Sequence, residues 1–309
     1  MTALSRNRGQ ATVLTILFLT VLLGMAAAVL DVGAWFHEKR KLQATVDAAA
    51  LAGAQALPDD TAGASSLALQ YAGKNGGGVT GGNISFSTTY LPNDTIKVSG
   101  TKPAPGFFSQ ILGIGSVTVH ASAKARTGTM SQAKYVAPIT VNYKHPMLQC
   151  TPPPCTGTTA IDLLDLGPSG GGSAPGSFGL INLNQNDPNG NIGANVLASW
   201  MQSGFQNYMD LGKYYAAPSS NFNNSQFKDA LNLRLNTEVL FPVYKTITGP
   251  GSNAQYDIIG WVGFVPTSFQ ANGSSGKVIG SFKRIIWTGI QGGKANQQNF
   301  GSYTVQLVD

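Results

Sequence analysis

Residues 8–57 read RGQATVLTILFLTVLLGMAAAVLDVGAWFHEKRKLQATVDAAALAGAQAL and contain a long apolar run. No charged residue stands between Gly9 and Leu30, and residues 11–30 are almost wholly apolar. A helix of about twenty residues spans about 30 Å, which is the thickness of the hydrocarbon core of a bilayer. Residues 11–30 are therefore predicted to be a transmembrane segment.

The helical pattern continues beyond the apolar run. Trp35 and Phe36 stand where an interfacial aromatic belt would lie, and the basic residues 39–41 follow at headgroup depth. Strong helix formers then continue until Pro58. The sequence predicts one helix over residues 10–57, with its first half in lipid and its second half outside.

The N-terminus has two interpretations. In one, it is a cleaved signal peptide whose cleavage site lies at the alanines 26–28. In the other, residues 1–9 are a basic cytoplasmic N-terminus, and the bulk of the chain is outside because no later stretch is apolar enough to cross back. Cys150 and Cys155 suit an oxidising compartment if they pair. We expect a single-pass protein of the cytoplasmic membrane, or a place on the cell surface.

The amino-terminal segment carries an ordered set of motif residues before, at the end of and after the apolar run. They are, in chain order, Arg8, Gly9, Gln10, Asp31, Gly33, Arg40, Leu42, Gln43, Asp47, Ala48, Ala49 and Ala50. With them, the segment resembles that of the TadE/TadG-like pilus-assembly proteins of bacteria that build Flp-type pili, and residues 107–125 resemble the segment that closes the first soluble domain of such proteins. The resemblance implies a pilin-like, membrane-anchored part of a pilus or its assembly machine, on the membrane or on the pilus. Its partners would be other Tad pilus or pseudopilin subunits, bound through the N-terminal helix, and membrane lipid.

The sequence departs from the family pattern at two points. Leu14 stands five residues after Gly9, where prepilin peptidase substrates usually carry Glu, so permanent anchoring is expected rather than processing after Gly9. Many TadG proteins also carry a von Willebrand A domain with an Asp-x-Ser-x-Ser metal motif. Residues 165–169 lack its middle Ser, so neither that domain nor its metal is expected.

Asp31 lies at the outer end of the apolar run and has two interpretations. It is either a boundary residue in the headgroup layer or the partner of a basic group on a neighbouring subunit's helix. Gly24 and Ala28 are four residues apart, as are Ala49 and Gly53, and small residues at this spacing let helices approach closely. Alanine-rich helices also contain such pairs by chance. The residues predicted for anchoring and helix packing are Gly24, Ala28, Asp31, Trp35 and Phe36.

The remaining chain predicts an α+β fold, with a small α+β domain at residues 58–128 and a β-rich domain at 129–309. The smaller domain should contain a helix, a hairpin of two strands, a short helix opened by Pro105, and a third strand, at 62–73, 84–91, 95–101, 105–112 and 117–123. The larger domain should contain two helices at 192–209 and 224–235. Its predicted strands are 160–166, 178–183, 239–247, 256–265, 277–290 and 303–308, and a Gly-rich linker is predicted at 167–176.

Composition and motifs argue against catalysis and nucleic-acid binding. Only 11% of the 309 residues are charged, against about 25% in an average protein. The basic residues are scattered rather than clustered with aromatic residues, so no nucleic acid is expected as a partner. Only two glutamates exist, and no pair of carboxylates suggests acid–base chemistry. His37, His120 and His145 are far apart and lack neighbours at metal-ligand spacing.

Two loops invite ligand-binding interpretations. Residues 273–277 look like a phosphate loop, but Ala271 stands where the first Gly is needed and Val278 replaces the Ser or Thr. Residues 187–191 begin like a calcium loop, but Ile192 and Ala198 replace the Gly and Glu that complete it. An Asn-Gly turn explains this stretch more simply. No cofactor or metal is therefore expected.

Cys150 and Cys155 enclose four residues, three of them prolines, and predict a disulfide that stiffens a small loop. Together these features predict a membrane-anchored structural component of a Tad/Flp-type pilus assembly or secretion system, a minor pseudopilin or an assembly protein, without catalysis. The alternative is a surface adhesin or ligand-binding minor pilin whose residues 129–309 bind an extracellular glycan or protein.

Overall fold

The structure is a computed structural model that describes residues 8–155, 157, 160–165, 179–184, 192–249, 253–272, 275–292 and 298–308. The chain divides into two compact units. Unit 1 consists of the described residues up to Arg126 together with 306–308, and unit 2 consists of the described residues of Thr127–Val305. Both units combine helices with sheets, so the predicted α+β class is confirmed.

Along the chain, the helices α1 and α2 come first and are followed by strands. Two short helices and further strands come after them. The helices are α1 (Arg8–Ala54), α2 (Thr61–Lys74), α3 (Ala194–Ser203) and α4 (Ser225–Leu233). The strands are β1 (Ile84–Ser87), β2 (Thr95–Pro105), β3 (Ser116–Ala133), β4 (Val141–Asn142), β5 (Ile161–Asp162), β6 (Met209–Asp210), β7 (Gly212–Tyr215), β8 (Val239–Thr248), β9 (Gln255–Asn272), β10 (Ser275–Lys283), β11 (Ile285–Ile286), β12 (Gly289–Gln291) and β13 (Ser302–Val308).

In unit 1, the second half of α1 packs against both α2 and strand β2, which lies between β1 and β3 in an antiparallel sheet. In the register of this sheet Ile84 lies opposite Val98, and Thr95 lies opposite Arg126. The core is rich in alanine, which lets the two helices approach closely. Its buried side chains include Leu42, Val46, Ala49, Ala50, Ala54, Leu57, Ala64, Ala68, Ala72, Ile96 and Val98.

Unit 2 is built on a six-stranded sheet in the order β4-β8-β9-β10-β5, with β7 pairing with β9. Successive side chains of a strand point to opposite faces, and both faces of this sheet are covered. Phe241 and Phe264 belong to a buried cluster that includes the apolar residues of α3 and α4, whereas Leu240 and Trp261 belong to a second cluster. The end of β3 pairs with both β6 and β12, and β11 pairs with β13 in parallel.

The helix predictions for α1, α2 and α4 are confirmed to within a few residues, but two other helix predictions need correction. The helix predicted over 192–209 ends at Ser203, because Gly204 has φ +75° and a side chain there would overlap the backbone of Tyr135. The helix that was expected to open at Pro105 is a single 3-10 turn, Ser109–Leu112. Pro105 itself is the last residue of β2.

Several strand predictions are also wrong in extent. The strand predicted over 277–290 is three shorter strands, β10, β11 and β12. Of the strand predicted over 160–166 only β5 forms, and of 178–183 only isolated bridges form at Leu180 and Ile181. The strand predicted over 84–91 stops at Ser87. The predicted linker 167–176 lies outside the described residues.

Candidate functional site

Helix α1 changes its surroundings at Asp31. Its side chains from Gly9 to Leu30 are almost all exposed, and Asp31, which is only 2% exposed, is the first buried residue along it. From Leu42 onward the helix supplies much of the core of unit 1. In the part of the chain that the structure describes, α1 is the one helix long and apolar enough to span a membrane. Asp31 therefore marks the junction between the apolar segment and the packed unit.

The carboxylate of Asp31 accepts hydrogen bonds from three consecutive backbone amides. Oδ1 accepts from the N–H of Phe107 at 2.8 Å and from that of Phe108 at 3.2 Å. Oδ2 accepts from the N–H of Phe108 at 3.0 Å and from that of Ser109 at 2.6 Å. Consecutive amides that converge in this way form an anion-binding concavity. We call these contacts the Asp31 clamp.

The Asp31 clamp satisfies groups that the turn Ser109–Leu112 cannot satisfy by itself. The first N–H groups of any helical turn lack partners within the turn and are usually capped by the side chain of the preceding residue. That residue is Phe108, which has no side-chain acceptor. Asp31 supplies the missing cap from α1. The carboxylate is thus paired with backbone dipoles instead of with a cation.

A glycine keeps the approach to the carboxylate open. A Cβ at Gly106 would lie 3.1 Å from Oδ2 of Asp31 and would overlap the hydroxyl of Ser109. Two side chains also form hydrogen bonds within this loop. Ser109 Oγ donates to the carbonyl of Ile114 at 3.0 Å, and Gln110 Nε2 donates to the carbonyl of Gly106 at 2.8 Å. The loop between β2 and β3 is therefore a defined structure built around Asp31.

Sequence reasoning singled out Asp31 but missed its partners. The structure gives the carboxylate a role that neither interpretation contained, as an acceptor within the chain. The sequence does set this loop apart, because Phe107 and Phe108 lie in a stretch from Pro103 to Val119 that has no charged residue. Every residue except proline has a backbone amide, however, so the sequence does not indicate which amides contact the carboxylate.

The other residues predicted for anchoring lie on both sides of Asp31. Gly24 and Ala28 are exposed, and no heavy atom lies within 4 Å of a Cβ built at Gly24. Phe36 is exposed, whereas Trp35 is half-buried and its Nε1 has no hydrogen-bond partner within the described chain. The surface that holds Gly24 and Ala28 is unoccupied in this single chain.

The residues of the second half of the helix motif have internal roles. Gln43 Nε2 donates to Asp47 Oδ1 at 2.8 Å and to the carbonyl of Ser122 in β3 at 3.1 Å, which ties the helix to the sheet. Leu42, Ala49 and Ala50 are buried in the core, and Ala48 is half-buried. At the N-terminal end of α1, Gly9 and Gln10 are exposed, as are Gly33 and Arg40 further along.

The small pair Ala49 and Gly53 is used inside the chain. A Cβ at Gly53 would lie 2.6 Å from Cδ1 of Ile96 and 2.9 Å from the carbonyl oxygen of Ala64. Only glycine lets α1 approach both α2 and β2 so closely. This pair therefore serves the core of unit 1.

In unit 2, the structure joins Cys150 and Cys155 in a disulfide with Cα atoms 5.3 Å apart. His145 is buried nearby: its Nδ1 accepts from the N–H of Met147 at 3.1 Å, and its Nε2 lies 3.0 Å from the carbonyl oxygen of Asp162. Burial lowers the pKa of His145, which keeps the ring neutral, with Nε2 as donor. This histidine holds a turn in place.

Within the described residues, no three His, Cys, Asp or Glu side chains come together as metal ligands. Gly276 and Lys277 of the phosphate-loop candidate lie in strand β10, and no helix follows them in the part of the chain that the structure describes. Residues 187–191 of the calcium-loop candidate and 166–169 of the metal-motif candidate lie outside the described residues.

A shallow cleft in unit 2 is lined by residues 142–144 and 244–247. It contains the side chains of Lys144 and Lys245 and the hydroxyl of Tyr244, which accepts from Asn142 Nδ2 at 3.0 Å. Burial raises the pKa of Tyr244 to about 12, so the phenol is protonated at neutral pH. The cleft is basic and carries no acid–base pair.

Comparison with known proteins agrees with the sequence resemblance. Residues 9–56 match a protein-family model described as putative Flp pilus-assembly TadE/G-like. The match covers α1 and the start of the turn that follows it, and it includes Asp31. No curated protein and no solved structure matches the chain. The expected family resemblance of the amino-terminal segment is thereby confirmed.

Proposed function

We propose that this protein is a membrane-anchored structural component of a Tad/Flp-type pilus assembly or secretion system, either a minor pseudopilin or an assembly protein. The observation that carries the proposal is the family match over residues 9–56. It falls on a helix whose first half is apolar and unpacked and whose second half belongs to a folded unit. Such a helix can be held by lipid and then by neighbouring subunits.

The proposed partners of α1 are other pilus subunits and membrane lipid. The exposed surface around Gly24 and Ala28 supports this, because small residues four apart allow close helix–helix contact in membranes. The absence of a Glu in the apolar run supports permanent anchoring. The function proposed is structural, with no catalytic step.

We propose that the N-terminus faces the cytoplasm and the two units lie outside. The disulfide of Cys150 and Cys155 in unit 2 supports this orientation, since disulfides persist in oxidising compartments. Maleimide labelling of intact cells tests it, with a single cysteine introduced at Thr2 or Lys228 in a Cys150→Ser, Cys155→Ser background. A membrane-impermeant reagent should label position 228 only. Labelling of position 2 alone would reverse the orientation.

The function itself is tested by deletion and fractionation. Cells that lack the protein should lose assembled pili and regain them on complementation, and unchanged piliation would refute the proposal. An immunoblot of sheared filaments against washed membranes then separates the two roles. Recovery in filaments identifies a minor pilin, and recovery only in membranes at full length identifies an assembly protein.

A second candidate function is ligand binding by unit 2, as in an adhesin. The cleft lined by Lys144 and Lys245 favours it, because a basic cleft with tyrosine walls suits an anionic glycan or protein. The full-length protein in nanodiscs should then bind acidic polysaccharide, and Lys144→Ala with Lys245→Ala should abolish that binding. Equal binding by the double variant would remove the cleft as the binding site.

A further inference from the structure

The loop between β2 and β3 carries a group of exposed apolar side chains. We define the tip loop as residues 106–115. Phe107 is 76% exposed, Phe108 42%, Ile111 83% and Ile114 48%. A water-soluble surface usually scatters such residues singly, so a cluster of them marks an interaction site.

The tip loop lies at the level where α1 leaves its apolar run. Three close approaches show how β2 runs along α1: Gly53 meets Ile96, Leu42 and Val46 meet Gly100, and Asp31 meets Gly106. Residue numbers fall along α1 as they rise along β2. From Gly53 to Asp31 the helix covers about 33 Å, and from Ile96 to Gly106 the strand covers about the same length. Strand β2 therefore runs alongside α1 in the opposite direction and ends next to Asp31.

The Asp31 clamp holds the tip loop at the level of Asp31 along α1. Three amides of the tip loop bond directly to a carboxylate that stands immediately after Leu30, the last residue of the apolar run. When residues 11–30 span the hydrocarbon core, Asp31 lies at its boundary. The tip loop must then lie at the same boundary.

Most backbone amides of the tip loop have hydrogen-bond partners within the protein. Besides the three clamped amides, the N–H of Ile111 donates to the carbonyl of Phe108, that of Gly113 to Gln110 and that of Ile114 to Ser109, each at 3.0 Å. A loop in water has no need of this, because water can serve the same groups. In lipid, backbone groups require partners within the protein.

The charges around the tip loop also fit a membrane surface. The stretch from Pro103 to Val119 has no charged side chain, and Lys102 precedes it. On α1, Arg40 is exposed two to three turns beyond Asp31, at a height where it can meet lipid phosphates. Apolar groups thus lie at the boundary and basic groups lie above it.

We propose that the tip loop inserts Phe107, Phe108, Ile111 and Ile114 into the bilayer leaflet that faces unit 1. Lipid thus surrounds these side chains, and the tip loop attaches unit 1 to the membrane at a second point beside α1. The inference rests on the proposed function only in requiring that α1 spans the membrane. Two attachments at different points of unit 1 fix both its height above the bilayer and its rotation about the helix axis.

Spin labels on the full-length protein test this insertion. The protein is reconstituted as single copies in nanodiscs of phosphatidylcholine and phosphatidylglycerol, and a nitroxide is attached to a cysteine at Ile111, Leu22 or Lys124. Leu22 reports on α1, and the exposed Lys124 in β3 is the aqueous control. Ile111 is exposed, so its replacement leaves the fold intact. Collisions with oxygen report lipid, and collisions with a water-soluble nickel chelate report water.

We expect the oxygen-to-nickel collision ratio at Ile111 to exceed that at Lys124 several-fold and to approach that at Leu22. A lipid-like ratio at Leu22 with a water-like ratio at Ile111 would overturn the inference and leave the anchor in place. A label at Ile111 that meets neither reagent would overturn it too, since protein would then cover the loop. Water-like ratios at both positions would refute the spanning helix and with it the proposed anchoring.

Discussion

The amide nitrogen of Ser109 lies 2.6 Å from Oδ2 of Asp31, although the two residues are 78 positions apart in the chain. A carboxylate at the end of an apolar helix would otherwise need water, a cation or a proton. Here the carboxylate accepts hydrogen bonds from the backbone of the tip loop instead. The contact joins the helix that carries the family match to the loop between β2 and β3 of unit 1.

Replacing Asp31 by Asn should loosen the tip loop. The amide has one acceptor oxygen where the carboxylate has two, and its NH2 would face the N–H groups of Phe108 and Ser109. In hydrogen exchange of the full-length protein in nanodiscs, the amides of 107–109 should exchange several-fold faster. Asp47→Asn on the same helix is the control and should leave these amides unchanged. Unchanged protection in Asp31→Asn would mean that the clamp does not hold the loop.

The same substitution at two glycines of α1 should have opposite effects. Gly53→Ala forces a Cβ against Ile96 and the carbonyl of Ala64, and overpacking of this kind costs about 1–3 kcal/mol. Gly33→Ala meets nothing within 4 Å and should stabilise the helix by up to about 1 kcal/mol. Urea unfolding in detergent micelles, followed through the exchange of unit 1 amides, measures both. Equal effects would show that the helices do not pack as described.

Asp94 should make unit 1 sensitive to acid. Burial alone would raise the pKa of its carboxyl, but the N–H groups of Leu91, Tyr90 and Thr89 and the hydroxyl of Thr95 together hold the pKa below its ordinary value. A lowered pKa in the folded state means that the carboxylate stabilises unit 1 above about pH 4, and that this stability is lost as the pH falls.

The test of this acid sensitivity is Asp94→Asn. At pH 7 it should destabilise unit 1 by about 1–3 kcal/mol, since buried donors lose their acceptor. Its unfolding free energy should also fall less steeply with pH below 4 than that of the wild type. Asp229→Asn removes the same charge at an exposed site of α4 and should change neither quantity. A pH slope identical to the wild type in Asp94→Asn would exclude this carboxyl as the sensor.

Gly24→Leu should impair association without affecting folding. The position has open space around it in the single chain, so leucine fits there, and the unfolding of unit 1 should be unchanged. In cells, co-purification with other pilus components should fall, because leucine keeps a neighbouring helix at a distance. Leu23→Ala, on a different side of the helix, is the control. Undiminished co-purification of Gly24→Leu would end the helix-packing hypothesis for this surface.

Local sequence signals predicted the bounds of α1, α2 and α4 to within a few residues. The ends of α1 and α2 were predicted to within three residues, because an uninterrupted run of helix formers and a Pro or Gly beyond it act locally. The helix predicted over 224–235 begins at Ser225, and the side chain of Asn224 caps it by accepting the N–H of Gln226. Signals of this kind depend on neighbours in the chain.

Features that depend on distant residues could not be predicted. The strand predicted to stop at Val265 continues to Asn272, because a bulge opposite Ile279 and Gly280 accommodates Pro266. The two-residue strands β4 and β6 have no periodicity to detect. The partners of Asp31 were hidden for the same reason, since they are amides brought near by the length of β2.

The burial of the second half of α1 makes the helix a lever. From Asp31 to Ala54 it extends about 35 Å, and it packs against α2 and β2 of unit 1. A membrane helix tilts by about 20° on average, and such a tilt would move the far end of this lever sideways by about 12 Å. If residues 11–30 span the bilayer as proposed, a change in the tilt of α1 would move the part of unit 1 around Ala54 sideways.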